Sequence, residues 1–140
     1  MEIKKILNPV DGSPHSERAT RYAAKLAKMV QAEMVLLHCH KKFPTILAEP
    51  HFQNAVNAII RKSEQLVEPF ARILNDSGVT YEKRILEGPA GKVIPEVAVI
   101  EKIDLIVMGS RGMTNLEGLI LGSVTHRVLH AGSCAVLVVK

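Results

Sequence analysis

Leu105-Ile106-Val107-Met108-Gly109-Ser110-Arg111-Gly112, resumed after nine residues by Gly122-Ser123-Val124-Thr125, decides how this chain is read. The first four residues form a short continuous apolar run suited to a strand covered on both faces. Ser123 to His130 is a short amphipathic run that reads as a helix. A strand, a glycine loop and a helix start, in that order, let backbone cradle an anion. Glycine has no side chain to block close approach, and the first amides of a helix have no partner within it and carry partial positive charge. A lone glycine often serves only a turn, but three in register ask for more. The fourteen residues between Met108 and Ser123 show little regular pattern, a length that in a compact domain marks a functional loop.

Working outward, Ile3 to Val10 reads as a first strand, with Pro9 near its end where a missing donor is tolerable. Asp11-Gly12-Ser13-Pro14 punctuates it. Ser13 is placed to cap a helix with Pro14 at its first position, and Ala19, Ala23, Leu26 and Val30 follow at helical spacing to an end near Gln31. Glu33 to Cys39 is a second strand and Lys41 to Pro50 a loop. Phe52, Val56, Ile59, Ile60, Leu66, Phe70 and Leu74 trace a long helical stripe ending at Gly78, which Pro69 is predicted to kink or break. Thr80 to Leu86 is a third strand, Gly88-Pro89-Ala90-Gly91 a turn, and Val93, Val97 and Ile100 the next helical face. Ala135 to Val139 is the fifth strand.

Strand and helix alternate throughout, which predicts an α/β fold: one parallel sheet with helices on both faces. No internal repeat or linker interrupts residues 1–140, so a single domain is expected. Ligands of such sheets bind beyond the carboxyl ends of the strands, where strand order reverses. If the first and fourth strands are neighbours there, Asp11 and Gly109 face one crevice.

Composition narrows the function. Eighteen Lys and Arg against fourteen Asp and Glu give a net charge of +4, spread without a basic block, and two Tyr, three Phe and no Trp leave few stacking platforms. Nucleic acid is not indicated. Cys39 and Cys134 are too few for a disulfide framework, and each sits in an apolar strand where cysteine behaves as a small buried hydrophobe, which fits a reducing cytoplasm. No apolar run approaches the roughly 20 residues that span a bilayer, so no membrane is expected.

The chain resembles the universal stress protein family over essentially its whole length. The resemblance is carried by Ile6-Leu7-Asn8-Pro9-Val10-Asp11-Gly12-Ser13, Val35-Leu36-Leu37-His38, and the two glycine segments quoted first. Their spacing is that of the family's ATP-binding branch. The resemblance therefore implies ATP, accompanied by magnesium or manganese, where the residues alone reached only an anion. It implies that Pro9, Val10 and Asp11 line the adenine and ribose end, with the main chain of Cys39 meeting the base. Gly109, Ser110, Arg111, Gly112, Met113, Thr114 and Asn115 would wrap ribose and phosphates, and Gly122, Ser123, Val124 and Thr125 would give amide and hydroxyl donors. It also implies a Rossmann-like fold akin to the adenine nucleotide alpha hydrolases, open and five-stranded, with order 3-2-1-4-5. Two positions depart from the pattern: Cys134 precedes the last strand where the family often has proline, and His126 stands where an acidic residue is common.

Catalysis is harder to place. The loop has neither lysine nor carboxylate at Walker spacing, and Gly88-Pro89-Ala90-Gly91-Lys92 is a weak imitation that suits a solvated first-turn lysine. Asp11 could hold the metal against phosphates, or simply end a strand in a turn. His38 with His40, and His126 with His130, share faces at ligand-like spacing, but nothing clearly completes either pair. Arg111 is placed to contact an anion. Val136 to Val139 at an open sheet edge predicts a homodimer through antiparallel contact of the last strands, Ala135 to Val139, an arrangement also seen in the family. The expected function is a nucleotide-dependent regulatory or stress-response module acting on a protein partner the sequence does not name. A slow ATPase and a dimeric scaffold without ligand are the alternatives.

Overall fold

A computed structural model describes residues 2–112 and 121–140. Strands β1 (Lys5–Pro9), β2 (Glu33–His40), β3 (Tyr81–Glu87), β4 (Leu105–Gly109) and β5 (Ala135–Val139) alternate with helices α1 (Pro14–Val30), α2 (His51–Ser77), α3 (Ala90–Ile100) and α4 (Ser123–Ala131). All strand pairs are parallel and the order is β3-β2-β1-β4-β5. The reversal of order falls between β1 and β4.

Alternate residues of the central strands feed two cores. Ile6, Met34, Leu36, Leu105 and Val107 pack with Ala19, Ala23 and Ala27 of α1 and Val67, Phe70 and Leu74 of α2. Leu7, Val35, Leu37, Ile106 and Met108 face the other way, onto Ile94, Val97 and Ala98 of α3 and Val128 of α4. Ala19, Ala23 and Ala27 are almost fully buried, and their small side chains let α1 lie close on the sheet.

The β1–β4 ladder is short. Ile6 pairs with Leu105 and Leu7 with Ile106, and the register ends there, whereas β1–β2 and β4–β5 each run for five pairs. Beyond Leu7 the fully buried Asn8 takes over: its Nδ2 donates to the Val107 carbonyl (2.9 Å) and its Oδ1 accepts from Thr20 Oγ1 (2.7 Å). A side chain thus replaces main-chain pairing as the two strands part, and the crevice opens at this point.

Helix ends follow the sequence closely. Ser13 caps α1 by accepting from the Ser16 amide (3.1 Å), Gln31 ends it at φ 57°, and Gly78 ends α2 at φ 74°. Of the kink or break expected at Pro69, the break is not found, and the burial expected of Ile100 is not found either: α2 runs from His51 to Ser77 through the proline. Pro69 and Gln65, whose carbonyl loses its partner, are both exposed residues, so the break in the ladder falls on the solvent side of α2 and not on its core face. On α3, Ile100 is 78 % exposed. The buried face is centred on Ile94, Val97 and Ala98, leaving Val93 on its flank and Ile100 outside it.

Candidate functional site

Where β1 and β4 separate, a cleft of about 420 Å³ opens at the carboxyl ends of β1, β2 and β4, within the size range of small-molecule sites. Leu37, Cys39 and Met108 form an apolar floor, and Ala90 and Ile94 of α3 close one side. Asp11, Ser16, Arg111, Gly112 and Ser123 supply the polar end.

Eleven of the residues singled out in the sequence line this one cleft: Pro9, Val10, Asp11, Cys39, Gly109, Arg111, Gly112, Gly122, Ser123, Val124 and Thr125. Asp11 and Gly109 do face the same crevice. Ser110 lies behind the lining. It is buried, and its amide donates to the Val139 carbonyl (2.8 Å) while its carbonyl accepts from the Gly122 amide (2.7 Å). That second bond closes the neck of the glycine loop. Met113, Thr114 and Asn115 lie outside the described residues.

Each glycine at the neck is confined by a different neighbour. A Cβ at Gly109 would stand 2.9 Å from the carbonyl carbon and oxygen of His15, so the bare glycine is what lets the first turn of α1 lie against the end of β4. A Cβ at Gly112 would run into Asp11 Oδ2. At Gly122 it would come within 3.3 Å of the Arg111 Cα, pressing on the opposite side of the neck.

Asp11 is held rigidly. Its Oδ1 accepts from the Ser13 amide (2.9 Å) and Ser16 Oγ (2.7 Å), and its own amide donates to Ser16 Oγ (3.0 Å). Oδ2 lies close against the bare Cα of Gly112. Helix α4 starts at Ser123, with Gly122 as an N-cap that offers no side chain, and the first-turn amides of Ser123, Val124 and Thr125, residues that line the cleft, have no partner among the described residues. Thr125 corrects one expectation. Its hydroxyl already donates to the Gly109 carbonyl (2.9 Å) and is buried, so it ties α4 to β4 and has no proton left for a ligand. Ser123, exposed at the helix start, keeps that capacity.

Burial pushes the Cys39 thiol up to about 11, which leaves it protonated and a poor nucleophile or metal ligand at neutral pH. Burial likewise raises Cys134, and both cysteines are only partly buried, less than the sequence suggested. His38 Nδ1 donates to the Val10 carbonyl (2.8 Å) and His40 Nδ1 to the Lys41 carbonyl (2.6 Å), so these rings brace strand ends. The rings of His126 and His130 contact each other at 4.4 Å between centroids. Among the described residues no three His, Cys, Asp or Glu side chains group as a metal centre. Lys92 is exposed in the first turn of α3, its amide donating to the Pro89 carbonyl. No described helix is long and apolar enough to cross a membrane.

Ser16, Leu37, Ala90, Ile94 and Met108 also line the cleft and were not foreseen. Leu37 lies two residues before Cys39 and Met108 one before Gly109, so both belong to strand ends that the sequence marks. Ala90 and Ile94 had no such signal, because their helix follows β3 and reaches the cleft only through the crossover.

A doubly wound parallel sheet with a glycine-necked cleft at its switch point is the architecture these observations define. The model of the universal stress protein family matches residues 2–140, and the chain belongs to that family. A universal stress protein of Thermus aquaticus is 34% identical over 139 residues, spanning 99% of each chain. The solved structure of hypothetical protein MJ0577, from Methanocaldococcus jannaschii, superposes with a TM-score of 0.89 at 31% identity, covering 100% of this chain and 97% of that one. A universal stress protein family member from Arabidopsis thaliana, solved with AMP bound, shares the fold at a TM-score of 0.69 and 20% identity, covering 98% and 91%.

Proposed function

We propose that the cleft binds ATP with magnesium and that the chain works as a nucleotide-dependent regulatory module of the stress response. One observation carries this reading: a rigid aspartate, a glycine neck and an uncapped helix start, distant in sequence, meet over an apolar floor in a single cleft. The AMP-bound Arabidopsis relative is similar at a level that speaks for fold alone, so the ligand is argued from this cleft.

In this reading the base lies on Leu37, Ile94 and Met108 and meets the main chain of Cys39. The ribose sits at Pro9, Val10 and Asp11, and the phosphates take the amides of Ser123 to Thr125 and the Ser123 hydroxyl, the Gly122 amide being held by the Ser110 carbonyl. Gly109 to Asn115 wrap the ribose and phosphates, as the family resemblance implies. Asp11 Oδ2 suits magnesium, which commonly binds through one or two carboxylates together with substrate phosphates. Asp11 is also the one carboxylate lining the cleft among the described residues, and its Oδ1 is committed to Ser13 and Ser16. That favours holding the nucleotide over cleaving it.

The test is a thermal-shift panel of ATP, ADP, AMP, cyclic AMP, GTP and FMN. A ligand at about 100 times its dissociation constant stabilises by roughly 2.7 kcal/mol. No shift with any adenine nucleotide rejects the proposal. The dimer is proposed through β5, whose residues 136–139 are only half-buried at the sheet edge. Light scattering that finds a monomer at high micromolar concentration rejects it.

A further inference from the structure

Gly91 is the second residue of α3, a position where alanine would serve the helix better, and it has no positive φ to explain it. What it has is a neighbour. A Cβ at Gly91 would lie 2.7 Å from Arg127 Cδ, 3.3 Å from Arg127 Cβ and 3.6 Å from Arg127 Cγ. The aliphatic stem of Arg127 therefore runs flat across the bare Cα of Gly91.

The direction of that stem matters. Arg127 is the fifth residue of α4, and long helical side chains lean toward the helix N-terminus, covering the preceding turn. That turn holds Ser123 and Val124, which line the cleft. At its far end the stem reaches the first turn of α3, whose Ala90 also lines the cleft. Beyond Cδ, the guanidinium continues from a junction of two helix starts, neither of which carries a side-chain cap. Among the described residues, Arg21, Arg72 and Arg84 each pair with a glutamate, and Arg127 pairs with none. Its charge remains available to an anion.

We infer that Arg127 is a specificity-determining residue that binds the terminal phosphates of a nucleoside triphosphate, and that Gly91 is the positioning residue that gives its side chain a track. This rests on the nucleotide reading of the cleft. A phosphate next to the ribose is met by the α4 amides, and a monophosphate ends there. A longer chain extends past them to the guanidinium, where the planar fork matches phosphate oxygens.

The experiment is titration calorimetry of the full chain with AMP and with ATP and magnesium. Arg127 is exposed, so Arg127→Gln should fold normally. It should weaken ATP about tenfold, the size of a lost charge-assisted contact, and leave AMP within about twofold. Gly91→Ala keeps the charge but displaces the stem, and should lower the ATP-to-AMP affinity ratio in the same direction. Equal losses for both nucleotides, or an unchanged ATP affinity, overturn the inference alone. A wild-type chain that binds neither nucleotide overturns the reading of the cleft, and this inference with it.

Discussion

At the amino end of the sheet, the Asp104 carboxylate accepts the amides of Lys4 (2.9 Å) and Lys5 (3.0 Å), and Lys5 Nζ reaches Glu101 (3.0 Å) and Glu33 (3.9 Å). Arg84 joins the same cluster through Glu101 (3.2 Å) and Glu82. At the carboxyl end, the neck is made of Gly109, Gly112 and Gly122, and the amides of Ser123, Val124 and Thr125 have no partner among the described residues. One end is closed by long charged side chains that satisfy each other. The other is kept open by residues with no side chain, braced from behind by Asn8, Asp11 and Thr125. Packing cost at the open end should therefore be steep and local, whereas charge loss at the closed end should be mild, because partly exposed ion pairs contribute little.

The largest effect is expected where an added side chain meets backbone. Gly109→Val would push its Cβ into the His15 carbonyl, which cannot swing aside because it belongs to the first turn of α1. Overpacking of this kind costs about 3 kcal/mol, to be read from urea unfolding of the variant against the wild type. A loss below about 0.5 kcal/mol would show that α1 yields easily and that the open end is not rigidly braced.

Next comes a change that strikes function more than stability. Gly112→Ala places a methyl against Asp11 Oδ2, and Asp11 cannot rotate away without giving up Ser13 and Ser16. The backbone at Gly112 must move instead, which under the proposed nucleotide reading spoils the wall facing the phosphates. ATP affinity by calorimetry should fall at least about tenfold, while stability falls by about 1 kcal/mol. Unchanged affinity would mean that nucleotide binding does not depend on the close seat of Gly112 against Asp11.

These two glycines show what the sequence could and could not carry. Their importance was legible, because glycine after a buried strand and before a helix start has a specific physical use. Their reasons differ and were not legible: Gly109 admits a neighbouring helix, and Gly112 admits an aspartate from a turn about a hundred residues earlier. Elements with strong apolar periodicity, such as α1 and β5, could be placed to within a residue or so. That Pro69 would not break its helix was not legible, because the cost of the break depends on whether the freed carbonyl is open to solvent, a matter of exposure and not of local pattern. The Thr125 hydroxyl shows a related limit, since a hydroxyl can satisfy the fold or a ligand and the sequence does not show which comes first.

The smallest expected effect lies at the amino end and carries a pH signature. A hydrogen bond from Lys5 chiefly holds the Glu101 carboxyl below its ordinary value, with Lys5 and Arg84 charges adding to it and desolvation opposing. Between the lowered folded value and the ordinary unfolded one, the unfolded chain binds more protons, so stability rises with pH. The contribution is complete above the ordinary carboxylate value and is lost as pH falls through the folded one. Glu101→Gln should therefore cost about 1 kcal/mol or less at neutral pH. The gap to wild type should close as the solution is acidified through that window, as measured by urea unfolding at a series of pH values. A gap that stayed constant, or widened in acid, would mean that Glu101 acts there by packing and not by charge, and the contrast between a charge-closed end and a glycine-opened end would lose one of its two sides.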